Sequence, residues 1–181
     1  MAQCAVPVGI SPHSASAHRI LLGRDPELGD LDVALDDVVA GRGRVVLAKG
    51  EPGIGKSRLA DELGRKAAAR GFAVHWGRAW EAGGAPSYWP VIQTLRSVWR
   101  SFDREALEAS LATYGDHLAG LIPEVRRIMP GLSTPTVAAD ADRFALFDAV
   151  GGFLRAAATR VPQLIVLDDL HAADPSSLLL L

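Results

Sequence analysis

The sequence predicts an α/β domain with a mainly parallel sheet. Three short apolar runs have the composition of buried strands: RVVLAKG (44–50), FAVHWGR (72–78) and QLIVLDD (163–169). Segments with apolar residues at helical spacing precede, separate and follow these runs. Strands that alternate with helices favour a parallel sheet that is covered by helices on both faces.

The helices are predicted from their start and stop signals and from their apolar faces. Asp25 is predicted to cap the first helix, with Pro26 in its first turn and Gly41 at its end, and Asp174 to cap the last helix, with Pro175 next. Three apolar faces follow helical spacing. They are Leu28, Leu31, Leu35, Val38 and Val39; Leu59, Ala60, Leu63 and Ala67; and Phe144, Phe147, Val150, Leu154 and Ala157.

The stretch between the second and third strands is predicted to be mostly helical. Its helical pattern runs from Val91 to Met129, with breaks expected at TYGD (113–116) and at Pro123. Loops are expected at 79–90 and 129–140, since both segments contain glycine and several prolines or small residues.

Composition and charge exclude several classes of protein. The 181 residues suffice for one domain with a core, and the net charge of −2 gives no general attraction to nucleic acid or to an anionic membrane. The sequence contains no basic helix or motif of the kind that contacts nucleic-acid bases, so direct nucleic-acid binding is not predicted. Cys4 is the single cysteine, which excludes an internal disulfide and fits a cytoplasmic location. No apolar run is long enough to span a membrane, and residues 1–18 are expected to be a disordered leader before a domain at 19–181.

The stretch GEPGIGKS fits the phosphate-loop pattern G-x-x-x-x-G-K-[ST]. Glycines let the backbone wrap closely around phosphate oxygens, and the free amides at the start of the following helix attract anions. Lys56 would add a positive charge near the β and γ phosphates and act in catalysis, and the Ser57 hydroxyl would bind Mg²⁺. An ordinary strand-to-helix turn is the alternative. The predicted nucleotide-binding residues are Gly50, Glu51, Pro52, Gly53, Ile54, Gly55, Lys56, Ser57 and Arg58.

The run LIVLDD predicts a second part of the same site. Carboxylates at the carboxyl end of a parallel strand face the same crevice as a phosphate loop. Asp168 is expected to hold Mg²⁺ through a water molecule, opposite Ser57, and Asp169 to polarise the attacking water as a catalytic residue. Aspartate is shorter than the more common glutamate at this place, which favours slow turnover. Taken alone, two aspartates that end a strand are also common in other α/β proteins.

Five stretches in order resemble a known family: LLGRDPEL, GEPGIGKSRLA, RAWEAGGAPSYWPVIQTLR, RFALFDAV and LIVLDDLHAADPSSL. Together they are similar, from Arg19 to Leu181, to the AAA-type, origin-recognition-like ATPase module. That module occurs in signal-transduction ATPases with numerous domains (STAND), including large LuxR-type transcriptional regulators and multidomain adenylate cyclases. The fold that the resemblance implies is a three-layer P-loop NTPase, and the ligands are ATP and Mg²⁺.

The resemblance also implies roles for single residues. Gly23 and Arg24 would lie near the adenine and ribose, with a solvated turn as the alternative. His171 falls where it could line the acidic site, but as a lone histidine it is expected to be a structural hydrogen-bonding residue. Trp80, Tyr88 and Trp89 match the loop after the second strand, where packing is the alternative role. For Arg143 we expect a surface or packing role.

The family's sheet has five strands in the order 5-1-4-3-2, whereas this sequence supplies three. The resemblance therefore implies a sheet that is incomplete at the C-terminus, with the fourth and fifth strands and the lid beyond Leu181. The fourth strand would lie between the phosphate-loop strand and the LIVLDD strand. We accordingly interpret the chain as an N-terminal fragment of a longer protein.

The sequence thus predicts an ATP-binding, Mg²⁺-dependent switch module that hydrolyses ATP slowly, within a signalling or transcriptional regulator. Self-association of the full-length protein is compatible with this function. Two alternatives stay open: another P-loop phosphotransferase, such as a small-molecule kinase, or a fragment that binds no nucleotide because its sheet is incomplete. A GTPase is disfavoured, since no Asn-Lys-x-Asp guanine motif is present.

Overall fold

The computed structural model describes residues 23–80, 84–132 and 140–181, with side chains from residue 142 onward in the last range. The predicted leader and most of the predicted loop at 129–140 lie outside the described residues. In chain order the elements are α1 (Asp25–Val39), α2 (Lys56–Ala69), β1 (Ala73–Arg78), α3 (Trp89–Trp99), α4 (Arg104–Leu121), α5 (Val125–Ile128), α6 (Asp140–Ala158), β2 (Gln163–Asp168), a 3-10 helix (Leu170–Ala172) and α7 (Pro175–Leu180).

The two strands β1 and β2 pair in parallel, as predicted for the second and third apolar runs. Their register matches Ala73 with Gln163 at one end and Arg78 with Asp168 at the other. Helices α3 to α6 form the connection between them. Because parallel strands end at the same edge of a sheet, Arg78 and Asp168 are neighbours at its carboxyl edge.

The prediction of a buried strand at 44–50 is wrong for this structure. The segment has no regular secondary structure, pairs with no described strand, and is exposed along its whole length. Val45, Val46 and Leu47 are 98%, 58% and 78% exposed. A strand obtains both its ladder hydrogen bonds and its burial from its neighbours, and no described strand lies against this one. The sheet of the described residues therefore has two strands rather than three.

The larger hydrophobic core lies among α3, α4 and α6, on one side of the sheet. Leu95, Leu111 and Phe153 are fully buried there, and the Phe102 and Phe153 rings stack with centroids 5.1 Å apart. A smaller cluster, Leu35, Ala67 and Phe72, packs α1 and α2 with the start of β1. The two clusters place helices on both sides of the strands, as the sequence predicts.

Two details of the helical region differ from the predictions. Helix α4 continues through TYGD (113–116). Gly115 is buried within it, and a Cβ there would lie 3.1 Å from Leu132 Cδ1. The earlier break instead precedes Arg104, where the Asp103 carboxylate accepts from the Ala106 amide at 2.8 Å. The predicted break at Pro123 is confirmed, since α4 ends at Leu121 and α5 begins at Val125.

The residues of the predicted apolar faces are buried or half-buried, with two exceptions. Leu31 and Leu35 of α1 and Val150 and Ala157 of α6 are buried as expected. Val39 and Phe144 are 63% and 73% exposed, because each lies near a helix end that extends past the core. Within the described parts of the chain, no helix combines the length and the apolar character that crossing a membrane requires.

Candidate functional site

The phosphate loop connects the exposed segment to α2. Gly53 and Gly55 have φ angles of 79° and 98°, in the left-handed region that favours glycine. Gly55 is the N-cap of α2 and provides no side-chain cap, so the first amides of the helix are not satisfied by a capping side chain. Lys56 and Ser57 open the helix directly after the loop. Both the glycine geometry and the uncapped helix start suit an anion.

The Lys56 side chain folds back over this loop. Its Nζ donates to the carbonyl oxygens of Gly50 and Glu51, at 2.9 and 3.0 Å. The ammonium group is thus held above the loop by two carbonyl contacts. Glu51, Pro52 and Ile54 are exposed around it, and Arg58 is exposed on the first turn of α2.

Arg24 lies against the opposite edge of the loop. Its Nη2 donates to the Ile54 carbonyl at 3.0 Å, and its Nη1 to Glu27 Oε1 at 2.6 Å. Gly23 precedes it with a φ of 75°. The structure therefore brings Arg24 to the phosphate loop from the start of α1, and the role of Gly23 and Arg24 near adenine and ribose stays a prediction.

The acidic strand end meets the phosphate loop. Ser57 Oγ donates to Asp168 Oδ1 at 3.1 Å, across 111 residues of sequence. The Asp169 amide donates to the same oxygen at 3.0 Å. The loop and the end of β2 therefore share one crevice, as the combination of the two motifs predicts.

Arg78 belongs to this crevice and was not singled out from the sequence. Its Nη2 lies 2.7 Å from Asp168 Oδ2, and its Nε lies 3.4 Å from Asp169 Oδ2. Burial raises the pKa of Asp168, but hydrogen bonds from Arg78, Ser57 and the Asp169 amide outweigh it, so the pKa lies below its usual 3.8. The sequence carried a signal for this ion pair. FAVHWGR ends in a basic residue and LIVLDD ends in acidic residues, and the carboxyl ends of adjacent parallel strands meet at one edge of a sheet.

Asp169 has an unusual backbone conformation. Its φ is 56°, in the left-handed region, and it is the N-cap of the 3-10 helix that carries His171. Aspartate enters this region more readily than most residues, but the conformation still stores about 1 kcal/mol or more. The bend turns the chain sharply after β2 and keeps the Asp169 carboxylate at the crevice, one-third exposed.

The aromatic residues after β1 divide between surface and core. Tyr88 is buried and packs in the larger core, while Trp80 is 56% exposed and Trp89 begins α3. The Tyr88 amide donates to Asp174 Oδ2 at 3.1 Å, and Asp174 also caps α7 through the Ser177 amide at 3.0 Å. For Tyr88 this geometry supports the packing alternative.

The residue set fits a nucleotide with a divalent cation. The Ser57 hydroxyl and Asp168 carboxylate supply oxygen ligands of the kind that Mg²⁺ takes. Lys56 and the start of α2 supply the positive charge and amides that phosphates need. The Asp169 carboxylate lies next to these groups and is one-third exposed. The arrangement can therefore hold a triphosphate, screen its charge and orient a water molecule.

Comparison with known proteins assigns the chain to a family. The family described as "AAA ATPase domain" matches residues 20–181. An uncharacterized protein of Rhizobium meliloti (strain 1021) is 26% identical over 174 residues; the match covers 87% of this chain and only 16% of that protein. No solved structure matches the chain. An AAA domain implies a P-loop NTPase fold and nucleotide binding, and with a match over nearly its whole length the chain belongs to the AAA ATPase domain family.

Proposed function

We propose that this domain is an ATP-binding, Mg²⁺-dependent switch that hydrolyses ATP slowly within a multidomain bacterial signalling or transcriptional regulator. The observation that carries the proposal is the 3.1 Å contact between Ser57 and Asp168. It joins two motifs that are far apart in sequence, and a hydroxyl and a carboxylate this close together support a shared divalent cation. Membership of the AAA ATPase domain family supports the nucleotide.

Each residue of the site has a distinct role in this proposal. The loop amides from Gly50 to Gly55 and the Lys56 ammonium bind the phosphates. Ser57 and Asp168 hold magnesium, which when bound neutralises charge on the phosphate oxygens. Asp169 orients and polarises the attacking water. Arg24, held against the Ile54 carbonyl, lies at the edge of the loop where the base and ribose would extend.

We attribute the slow hydrolysis of ATP to the short side chain of Asp169 and to its contact with Arg78. Its side chain is one methylene shorter than glutamate, and its Oδ2 lies 3.4 Å from the Arg78 guanidinium. Slow hydrolysis suits a switch whose ATP-bound state must persist.

Two further observations support the proposal that this domain is one module of a larger regulator. The matched region covers 16% of the length of its Rhizobium relative, which fits a module within a large protein. In the structure, the apolar segment 45–47 is exposed and β2 is only half-buried along its length. A further parallel strand between them, as in the five-stranded sheet of the family, would cover both. We propose that this strand, a fifth strand and a lid belong to the complete domain, that the full-length protein can self-associate, and that this domain does not itself contact nucleic acid.

Isothermal titration calorimetry of the full-length protein with ATP and Mg²⁺ tests the proposal. We expect Lys56→Ala to lower the affinity at least about tenfold, since it removes a full charge beside the phosphates. Lys49→Ala is the matched control, because Lys49 is an exposed lysine just outside the loop motif. Equal ATP affinity in the wild-type protein and the Lys56 variant would refute the assignment of the loop.

A further inference from the structure

Both oxygens of the Asp168 carboxylate are already engaged. Oδ1 accepts from Ser57 Oγ at 3.1 Å and from the Asp169 amide at 3.0 Å. Oδ2 accepts from Arg78 Nη2 at 2.7 Å. The Asp168 side chain is 11% exposed, so little of it is left to water. A cation that approaches Asp168 must therefore compete with these partners.

Arg78 is the partner that a cation would displace most readily. The Ser57 and Asp169 contacts come from a helix start and from the backbone. Arg78 reaches Asp168 with a long side chain that is 46% exposed. Its backbone is fixed: Ala79 donates to the Asp168 carbonyl at 3.1 Å, and Gln93 Nε2 donates to the Arg78 carbonyl at 2.8 Å. The guanidinium can swing outward while β1 stays in place.

Charge makes Arg78 and a divalent cation competitors. The guanidinium bridges Asp168 and Asp169, at 2.7 and 3.4 Å, and so supplies a positive charge to both carboxylates. A cation bound to Asp168 within a few ångströms of this group would be repelled by it, and the repulsion is strong in a partly buried crevice. Binding the cation and keeping the Arg78–Asp168 pair are therefore opposed.

We propose that Arg78 is a latch on the acidic site, which holds Asp168 and Asp169 in place of the divalent cation and is displaced from Asp168 when the cation binds. This inference rests on the proposed function of the site and adds a regulatory element to it. The latch raises the Mg²⁺ concentration that the site requires. It also keeps the carboxylates neutralised and in position when no nucleotide is bound.

Binding of Mn²⁺ to the intact, nucleotide-free protein, followed by electron paramagnetic resonance, tests the latch without ATP. We expect Arg78→Ala and Arg78→Gln to bind Mn²⁺ about tenfold more tightly than the wild-type protein, because the competing charge is gone. Arg78→Lys keeps the charge and should stay close to wild type. Arg104→Ala is the matched control, since it removes an exposed arginine from α4. Equal Mn²⁺ affinity in the wild-type, Ala and Gln proteins would overturn the proposal.

A second measurement separates the latch from the nucleotide site. The affinity for ATP is measured at a series of Mg²⁺ concentrations, and its value in EDTA serves as the baseline. We expect the Ala and Gln variants to reach half of the Mg²⁺-dependent gain at several-fold lower Mg²⁺, with unchanged affinity in EDTA. Weaker ATP binding in EDTA would show that Arg78 binds the phosphates instead, which contradicts the latch. If the wild-type protein binds no ATP in either condition, the proposed function fails, while the Mn²⁺ comparison still decides the latch.

Discussion

The Ser57 hydroxyl donates to Asp168 Oδ1 at 3.1 Å, and this contact joins the first turn of α2 to the carboxyl end of β2. If both groups hold magnesium, the gain in ATP affinity from Mg²⁺ should depend on the hydroxyl. We expect Ser57→Ala to lose most of that gain while its affinity in EDTA stays within about twofold, since the loop amides and Lys56 remain. Calorimetry with Mg²⁺ and with EDTA measures both quantities.

The matched control for this prediction is Ser57→Thr. Threonine keeps a hydroxyl at the same position and satisfies the same motif, so it should preserve the Mg²⁺ dependence. A full Mg²⁺ gain in the alanine variant would remove Ser57 from the metal site.

Asp169 is predicted to act in turnover and not in binding. Asp169→Asn keeps the size of the side chain and removes its negative charge, so it cannot polarise a water molecule. We expect ATP affinity to change by less than about threefold and the hydrolysis rate to fall at least about a hundredfold, which is the usual scale for a general base. Single-turnover hydrolysis with labelled ATP measures the rate. An unchanged rate would assign the water-activating role to another group.

His75 should make the stability of the domain depend on pH. It is 3% exposed on β1, and its ring nitrogens lie 2.8 Å from Ser97 Oγ and 2.8 Å from Gln163 Oε1. Burial lowers the pKa of His75 below its usual 6.5, against a smaller opposing effect of the Gln163 hydrogen bond. Below pH 6.5 the unfolded chain therefore takes up a proton that the folded chain does not, and stability falls as the pH falls.

Between pH 6.5 and the lowered pKa of His75, the free energy of unfolding should fall by up to about 1.4 kcal/mol for each pH unit of acidification. Above pH 6.5 the imidazole is neutral in both states, so this effect should vanish. Urea unfolding at several pH values measures it. The difference between the wild-type protein and His75→Gln isolates this residue, because other titrating groups cancel. If the two curves run parallel between pH 5 and 6.5, His75 does not cause the dependence.

Gly77 allows α3 to pack against β1. A Cβ at this position would overlap the Pro90 carbonyl oxygen and lie 2.8 Å from Thr94 Oγ1. Both obstacles are held in the buried first turns of α3, where Thr94 Oγ1 donates to the Pro90 carbonyl at 3.0 Å. We expect Gly77→Ala to lower the free energy of unfolding by about 2 kcal/mol, the usual cost of overpacking a core.

Gly29→Ala is the control for this prediction. Gly29 lies within α1 and a Cβ there meets nothing within 4 Å, so alanine should stabilise the helix by up to about 1 kcal/mol. Chemical denaturation compares both variants with the wild-type protein. A neutral Gly77→Ala would mean that α3 can shift away from the strand at no cost.

Local signals were sufficient for the parts of the site that lie within one short stretch. The phosphate loop needs glycines at fixed spacing and a lysine and serine at a helix start, and these are readable from GEPGIGKS. Asp168 and Asp169 come directly after an apolar run. Strand β1 ends at Arg78 as predicted, and β2 ends at Asp168, one residue before the predicted end. The cap of α7 by Asp174 also depends on neighbouring residues only. The predicted cap of α1 is wrong by one residue, since Arg24 is the N-cap and Asp25 is the first residue of the helix.

Contacts between distant segments were decided by the tertiary structure. The register of β1 against β2 places Arg78 beside Asp168, which no local pattern specifies. The same dependence explains the wrong prediction at 44–50: an apolar run becomes a strand only if another strand satisfies its amides and covers its side chains. The sequence determined which segments can bind phosphate and carry acid, because those properties belong to single residues and turns. The structure decided which charges meet and which apolar runs are buried, because hydrogen bonding and burial require a second segment of chain.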